Sequence, residues 1–404
     1  MDNPIKAKNI LLGVSGSIAA YKAVDLASQL TKAGANVDVI VTPSAEKLVS
    51  ALTFRSVTGR KAYTEADLWK TEEHVVHITL ARRADLMVIA PASANSLAKL
   101  AHGIADNLLT VTALVIRCPL AVAPAMDAGM YDHVATQENL QILAGRSVTI
   151  LGPKEGHLAS GLKGKGRMLE PTILFSAIRF ILSRTNPLSG KRILVTAGGT
   201  QEALDPVRFI SNHSSGKQGY AVAQAALDAG AQVTLVSART AITPPYGAEL
   251  IEVVSAAEMH TAVMEKVQQV DAVIMAAAVA DFRPASSSEQ KIKKDATLQS
   301  IKLEPTTDIL KELGEFKQQH PKLILVGFAA ESENLIQNAS EKLKRKNLDI
   351  IVANDISRSD RGFAVDNNEV ILLFRDGSRK EVPLQNKENI AREIIDNLSP
   401  LLQS

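Results

Sequence analysis

The first half of the chain alternates short apolar runs with stretches whose apolar residues recur every three or four positions. Ile10 to Val14, Val37 to Val41, Leu86 to Ala90, Leu120 to Ala123 and Ser147 to Ile150 read as strands, and the segments between them as helices, the first from Ser17 to Lys32. That alternation predicts a parallel sheet with helices on both faces. Gly152 to Met168 breaks the rhythm. Its five glycines stand among lysines and small residues, which predicts a mobile flap rather than a helix or strand. A helix from Thr172 to Ser183 then gives way to Arg184-Thr-Asn-Pro-Leu-Ser-Gly190, a polar linker that divides the chain into expected domains of 1–188 and 189–404.

After the linker the pattern restarts with a strand at Lys191 to Thr196. Asp228-Ala-Gly-Ala-Gln-Val-Thr-Leu-Val-Ser237 echoes Lys32-Ala-Gly-Ala-Asn-Val-Asp-Val-Ile-Val41, and each reads as a helix end, a glycine cap and a second parallel strand. Further strands are expected at Ala272 to Met275, Leu323 to Val326 and Ile350 to Val352. A hairpin near Val370 to Val382 turns at Asp376-Gly377, and a last helix covers Glu388 to Leu398. The expected fold class is therefore α/β, with two doubly wound, mainly parallel-sheet domains.

Composition narrows the function classes. The 404 residues exceed what one core usually organises, and 46% apolar with 22% charged residues is ordinary for globular proteins. A formal charge of +2 and 4% aromatics give no basis for capture of nucleic acid. Cys118 is the single cysteine, which excludes an intrachain disulfide framework and a cysteine-rich zinc site. The first residues lack a signal-peptide design and no long uninterrupted apolar run follows, so a cytoplasmic metabolite enzyme with no membrane partner is expected.

The chemistry begins at Gly13-Val-Ser-Gly-Ser-Ile-Ala-Ala20, where small residues join a strand to a helix and let backbone N–H groups approach a phosphate. The spacing is not G-x-G-x-x-G, and Asp38 sits inside the second strand rather than at its end, which disfavours a dinucleotide. A mononucleotide such as FMN fits; a tight turn that only packs the sheet is the other reading. Thr42-Pro-Ser44, Ala90-Pro-Ala-Ser-Ala-Asn-Ser96 and Ala123-Pro-Ala-Met-Asp127 fall at other strand ends, where an open sheet places ligands. His74 and His77 precede the third strand; either reads as a surface or capping histidine, and the pair alone does not make a metal site. In the second half, Ser214-Ser-Gly216 opens a helix, but Gln218 follows Gly216-Lys217, so there is no P-loop. Lys342 and Lys346 lie four residues apart, on one helical face that reads as solvated.

The glycine loop, His77-Ile-Thr-Leu80, the two Pro-Ala segments and Gly164-Lys-Gly-Arg-Met168 together resemble FMN-dependent cysteine decarboxylases of flavodoxin-like fold. Thr196-Ala-Gly-Gly-Thr200, Ile210-Ser-Asn-His-Ser-Ser-Gly-Lys217, Ala276-Ala-Ala-Val-Ala-Asp281, Lys291-Ile-Lys-Lys294, Gly327-Phe-Ala-Ala-Glu331 and Lys342-Leu-Lys-Arg-Lys-Asn-Leu-Asp349 resemble phosphopantothenate-cysteine ligase, a Rossmann-like domain. In this order they resemble the bacterial bifunctional enzymes of coenzyme A synthesis over nearly the whole chain.

The resemblance implies CTP-dependent condensation of 4′-phosphopantothenate with L-cysteine through an acyl-cytidylate. It also implies FMN-dependent decarboxylation of the resulting 4′-phosphopantothenoylcysteine to 4′-phosphopantetheine. By motif position His77 is the base near the thiol, and Gly16, Ser17, Ile18, Thr42, Ser44, Ser93, Ala94, Asn95, Ser96 and Ala125 line the FMN. Asn212 acts at the acyl-cytidylate, Lys291, Lys342 and Lys346 meet the triphosphate, and Met275, Ala276, Ala277, Asp281, Asp308, Ile309 and Phe328 hold the nucleotide. The resemblance further implies Mg²⁺, with no ligands visible in the sequence, and a homo-oligomer of flavin-domain trimers and ligase-domain dimers.

Two decarboxylase positions depart from the family pattern. Asp127 stands where many members have an asparagine that meets the substrate carboxylate, and Ser160 where many have a proton-donating cysteine. Three functions stay open on the sequence: the bifunctional enzyme, an active ligase fused to a flavin domain that does not decarboxylate, and a flavin-binding regulatory protein.

Overall fold

The computed structural model describes residues 3–69, 75–292, 300–331, 333–355 and 367–403. His74, Lys293 and Lys294 lie outside these residues. The chain divides into two compact units, Asp2–Leu182 and Ser183–Ser404.

In the first unit β1 (Asn9–Val14), β2 (Asn36–Val41), β3 (Ala62–Tyr63), β4 (Leu86–Ala92), β5 (Leu120–Pro124) and β6 (Thr149–Ile150) form a parallel sheet in the order β3-β2-β1-β4-β5-β6. Without the two-residue edge strand β3, the order is second-first-third-fourth-fifth, that of a flavodoxin-like sheet. Alternation along β1 explains the layers. Ile10, Leu12 and Val14 point to a core that includes Leu26 and Leu30 of helix Ala20–Lys32 and Ile178 of helix Pro171–Ser183. Leu11 faces the opposite core, with Leu97, Leu108 and Leu140 from three other helices. Both sheet faces are covered, as near-continuous apolar strands require.

The second unit is Rossmann-like. Its sheet contains β7 (Arg192–Ala197), β8 (Gln232–Ala238), β9 (Glu249–Val253), β10 (Ala272–Met275), β11 (Ile324–Glu331), β12 (Ile350–Asp355), β13 (Asn367–Phe374) and β14 (Arg379–Asn386). The order is β9-β8-β7-β10-β11-β12-β13-β14, with the first six parallel and the closing hairpin antiparallel. The sequence echo has a common geometry: Gly34 (φ 91°) and Gly230 (φ 96°) both take the left-handed conformation that ends a helix before the second strand.

Several expectations need correction. Gly152 to Met168 is not irregular: Lys154–His157 and Lys163–Arg167 pair as an antiparallel hairpin. Backbone bonds make this ribbon without an apolar pattern to announce it. Strand β4 continues through Pro91 on a cis Ala90–Pro91 bond, with a register break between Ile89 and Ala92, rather than stopping at the proline. The first helix begins at Ala20, after a turn at Ser17. Edge strands β3 and β9 lacked a sequence signal, and so did two small antiparallel pairs, Gln201–Ala203 with Phe209–Ser211 and Phe282–Pro284 with Leu303–Pro305.

Candidate active site

The strand order of the first unit reverses between β1 and β4, and the site is built where these strands end. The Ser15 hydroxyl donates to Pro91 O (2.8 Å) and accepts from the Ser93 N–H (2.9 Å), joining the two strand ends. Gly16 must be a glycine, because a Cβ there would stand 2.5 Å from Ser44 Cβ. Thr42 Oγ1 and Ser93 Oγ cap the helices that follow, accepting from the Ala45 and Ser96 N–H groups (3.4 and 3.3 Å).

Above these ends lies a cavity of about 560 Å³. Of the expected residues, Gly16, Ser17, Ile18, Ser93, Ala94, Ala125, Asp127 and Ser160 line it. Thr42, Ser44, Asn95 and Ser96 are not on its wall: Ser44 backs Gly16, and Ser96 is bonded to Ser93 (3.1 Å). Arg167, from the Gly164–Met168 motif, also lines the cavity, as do Lys22 and His157, which were not singled out in the sequence. Lys22 is buried, and its ammonium donates to Glu170 Oε1 (2.9 Å), which also accepts from Arg167 (2.8 Å). The Lys22 bond, aided by Arg167 against partial burial, holds the Glu170 carboxyl below its usual range. A lysine between Ala20 and Ala23, on the otherwise apolar inward face of the helix, was the available signal.

The hairpin Lys154–Arg167 lies against the Met126–Asp127 loop, where a Cβ at Gly166 would meet Met126 O at 2.3 Å. It brings the two departing residues together. Ser160 Oγ donates to Asp127 Oδ2 at 2.6 Å, while Asp127 Oδ1 accepts from the Gly129 N–H at 3.0 Å. The Ser160 bond first and the Gly129 bond second hold the Asp127 carboxyl below its usual range. His77 is not part of this group. It sits on helix Val76–Arg83 and lines a separate cavity of about 540 Å³ with Glu65, Trp69 and Asp106. Its Nδ1 is buried without a hydrogen-bond partner.

In the second unit the order reverses between β7 and β10, and hydroxyls at and just after the end of β7 lace the two strand ends together. Thr196 Oγ1 accepts from Ala277 N–H (3.1 Å) and Thr200 Oγ1 from Ala280 N–H (2.9 Å). Asn212 Nδ2 donates to Val279 O at 3.0 Å. Asn212 thus joins the segment that carries Met275, Ala276, Ala277 and Asp281. Lys342 and Lys346 are not the solvated face the sequence suggested. The Lys342 ammonium donates to Phe328 O (2.8 Å), and burial, then Lys346, push its pKa down against the pull of Glu331, Asp308 and Asp281. Lys346 pairs with Asp308 (2.8 Å), which also caps helix Ile309–Gln319 through the Lys311 N–H. Asp308 is partly withdrawn from water, yet these partners keep its carboxyl below the usual range. Ile309 packs its side chain into the core, and Lys291 is exposed.

Comparison with known proteins finds relatives of both units. The family described as Flavoprotein matches residues 2–183, and the family described as DNA/pantothenate metabolism flavoprotein C-terminal domain matches residues 188–401. The coenzyme A biosynthesis bifunctional protein CoaBC of Bacillus subtilis is 45% identical over 397 residues, covering 98% of this chain and 97% of its own. The chain belongs to the family of bifunctional coenzyme A biosynthesis proteins. The Escherichia coli K12 member is 42% identical over 397 residues, covering 98% of this chain and 97% of its own. Among solved structures, the C-terminal domain of a CoaBC protein is 45% identical (TM-score 0.47), covering 54% of this chain and 99% of that one. The FMN binding protein AtHal3 is 37% identical (TM-score 0.40), covering 43% and 96%. Membership makes this chain an enzyme with a flavoprotein unit and a ligase unit. None of its described helices is long and apolar enough to cross a membrane.

Proposed function

We propose that the domain of residues 189–404 condenses 4′-phosphopantothenate with cysteine at the expense of CTP, and that the domain of residues 1–188 decarboxylates the product with FMN, in the cytoplasm. The observation that supports this most is the cavity at the first switch point, which gathers six of the ten expected cofactor residues, Gly16, Ser17, Ile18, Ser93, Ala94 and Ala125, with both Asp127 and Ser160. The absence of a side chain at Gly16 lets the backbone cross close to Ser44 at the cavity wall, and a small-residue turn of this kind before a helix suits the phosphate of FMN. When bound, FMN supplies the oxidation of the cysteine thiol and the later return of the electrons.

The protein's own residues do the rest. His77 takes the thiol proton. Its ring lines a different cavity of the same protomer, so a second copy delivers it. Exposed apolar residues at both cavities, Trp69 and Val75 beside His77 and Ile18, Tyr21 and Met130 at the other, support the trimer in which this occurs. Asp127 keeps its charge turned toward Ser160 and Gly129, which reduces its repulsion of a substrate carboxylate. In the ligase, Lys291, Lys342 and Lys346 neutralise the triphosphate as pyrophosphate leaves, and Asn212 orients the acyl-cytidylate while the cysteine amine displaces CMP. Dimers of this unit complete the assembly. Among the described residues no group of three His, Cys, Asp or Glu could hold a metal ion; Mg²⁺ would be carried largely by the triphosphate itself.

One observation favours a second reading, an active ligase joined to a flavin unit that does not decarboxylate: the Ser160 proton is committed to Asp127. Purified protein with FMN and 4′-phosphopantothenoylcysteine distinguishes the two. Release of CO2 that is absent from a His77→Asn variant supports the first; no CO2 here, with pyrophosphate released when the same protein is given CTP, 4′-phosphopantothenate and cysteine, supports the second.

A further inference from the structure

One buried carboxylate of the ligase unit has no part in the chemistry above. The hairpin Gln201–Ala203 with Phe209–Ser211 leads directly into Asn212 and turns through Leu204–Arg208. Asp205 in that turn is 3% exposed. Its Oδ1 accepts from the Val207 and Arg208 N–H groups, both at 2.8 Å. Its Oδ2 accepts from the Ile292 N–H and from Arg208 Nη1, both at 3.2 Å. Arg208 Nη1 also donates to Ile292 O at 3.2 Å, and Leu204 O accepts from the Ser288 N–H at 2.9 Å. Ile292 is therefore held at both of its backbone groups, and the residue before it is Lys291.

Holding the turn needs only Oδ1, which an asparagine would supply equally well. A buried carboxylate is costly unless its second oxygen is satisfied too, and here that oxygen bonds a backbone N–H 87 residues away. Burial works against the charge, yet the N–H groups of Val207, Arg208 and Ile292 hold the carboxyl below its usual range, so it stays ionised. The charge thus serves the distant contact as well as the turn, directly at the Ile292 N–H and through Arg208, which itself donates to Ile292 O. We infer that Asp205 is a positioning residue for Lys291: it fixes the backbone from which the lysine reaches the triphosphate, on the same hairpin that places Asn212. The inference rests on the reading of Lys291 given above.

Asp205→Asn in the full chain tests it. The amide keeps an oxygen for Val207 and Arg208 but turns an NH2 toward two donors. Trypsin should cleave after Lys291 about tenfold faster in the variant while other sites keep their rates, and CTP should bind about tenfold more weakly. In a Lys291→Gln background the same change should weaken CTP binding no further, because both act through one group. Unchanged cleavage after Lys291, or faster cleavage throughout the ligase unit, would overturn the clamp. If Lys291→Gln binds CTP as the native protein does, the reading of Lys291 is what fails. If it weakens binding and Asp205→Asn does not, Asp205 alone fails.

Discussion

Ser160 and Asp127, 33 positions apart in sequence, share a hydrogen bond of 2.6 Å in which the serine is the donor. On the family resemblance both are departures from the common residues, and each gives the other a hydrogen-bond partner. The carboxylate gains a donor, and the hydroxyl gains an acceptor that holds the hairpin tip over the cavity.

Removing the hydroxyl should free the carboxylate. In Ser160→Ala the Asp127 carboxyl should titrate closer to its ordinary value, seen in the ¹³C shift of its side-chain carbon. The sign of the pH effect follows. A carboxyl held below its unfolded value stabilises this contact fully above roughly pH 4, and the contribution fades as acid titrates it through its lower folded value. An unmoved Asp127 titration would show that the bond has no weight in solution.

A thiol at the same place tests the chemistry. Ser160→Cys supplies a far stronger acid than a hydroxyl, and we expect faster CO2 release, by about tenfold if proton transfer limits turnover. Equal rates would show that the proton comes from elsewhere on the cavity wall.

Gly16→Ala should yield colourless protein, since its Cβ would collide with Ser44 Cβ, 2.5 Å away. Adding Ser44→Gly should restore some flavin, measured as absorbance after purification. A yellow Gly16→Ala protein would argue against the cradle.

Lys342→Gln should weaken CTP binding by roughly ten- to a hundredfold, the size of a lost charged hydrogen bond, as measured by calorimetry. Lys317 provides a structural contrast. It is buried in direct contact with Asp349, which also meets Arg375 and the Leu325 N–H. Lys317→Met should cost the ligase unit about 3 kcal/mol by leaving a buried carboxylate short of a partner, read as a shift of its urea transition, with CTP affinity unchanged.

How much was legible follows from how local each signal is. Strands such as Ile10 to Val14 and Ala272 to Met275 announce themselves because a parallel sheet covered on both faces needs an unbroken apolar run. Glu249–Val253 at the sheet edge is partly exposed, so its pattern is diluted. The glycine loop was visible because close crossing demands small residues. Lys342 and Lys346 read as solvated because their partners, Phe328 and Asp308, come from other elements. The Asp205 contact with Ile292 was hidden for the same reason.

The Ser15 hydroxyl, bonded to both strand ends beneath the cavity, separates two rates. The floor is welded into the sheet at Pro91 and Ser93, whereas the side that carries Ser160 is a two-stranded ribbon on the surface. Lifting that ribbon breaks a few exposed bonds; opening the floor means disrupting the central strands. A ligand held on the floor would therefore leave more slowly than one held only beneath the ribbon.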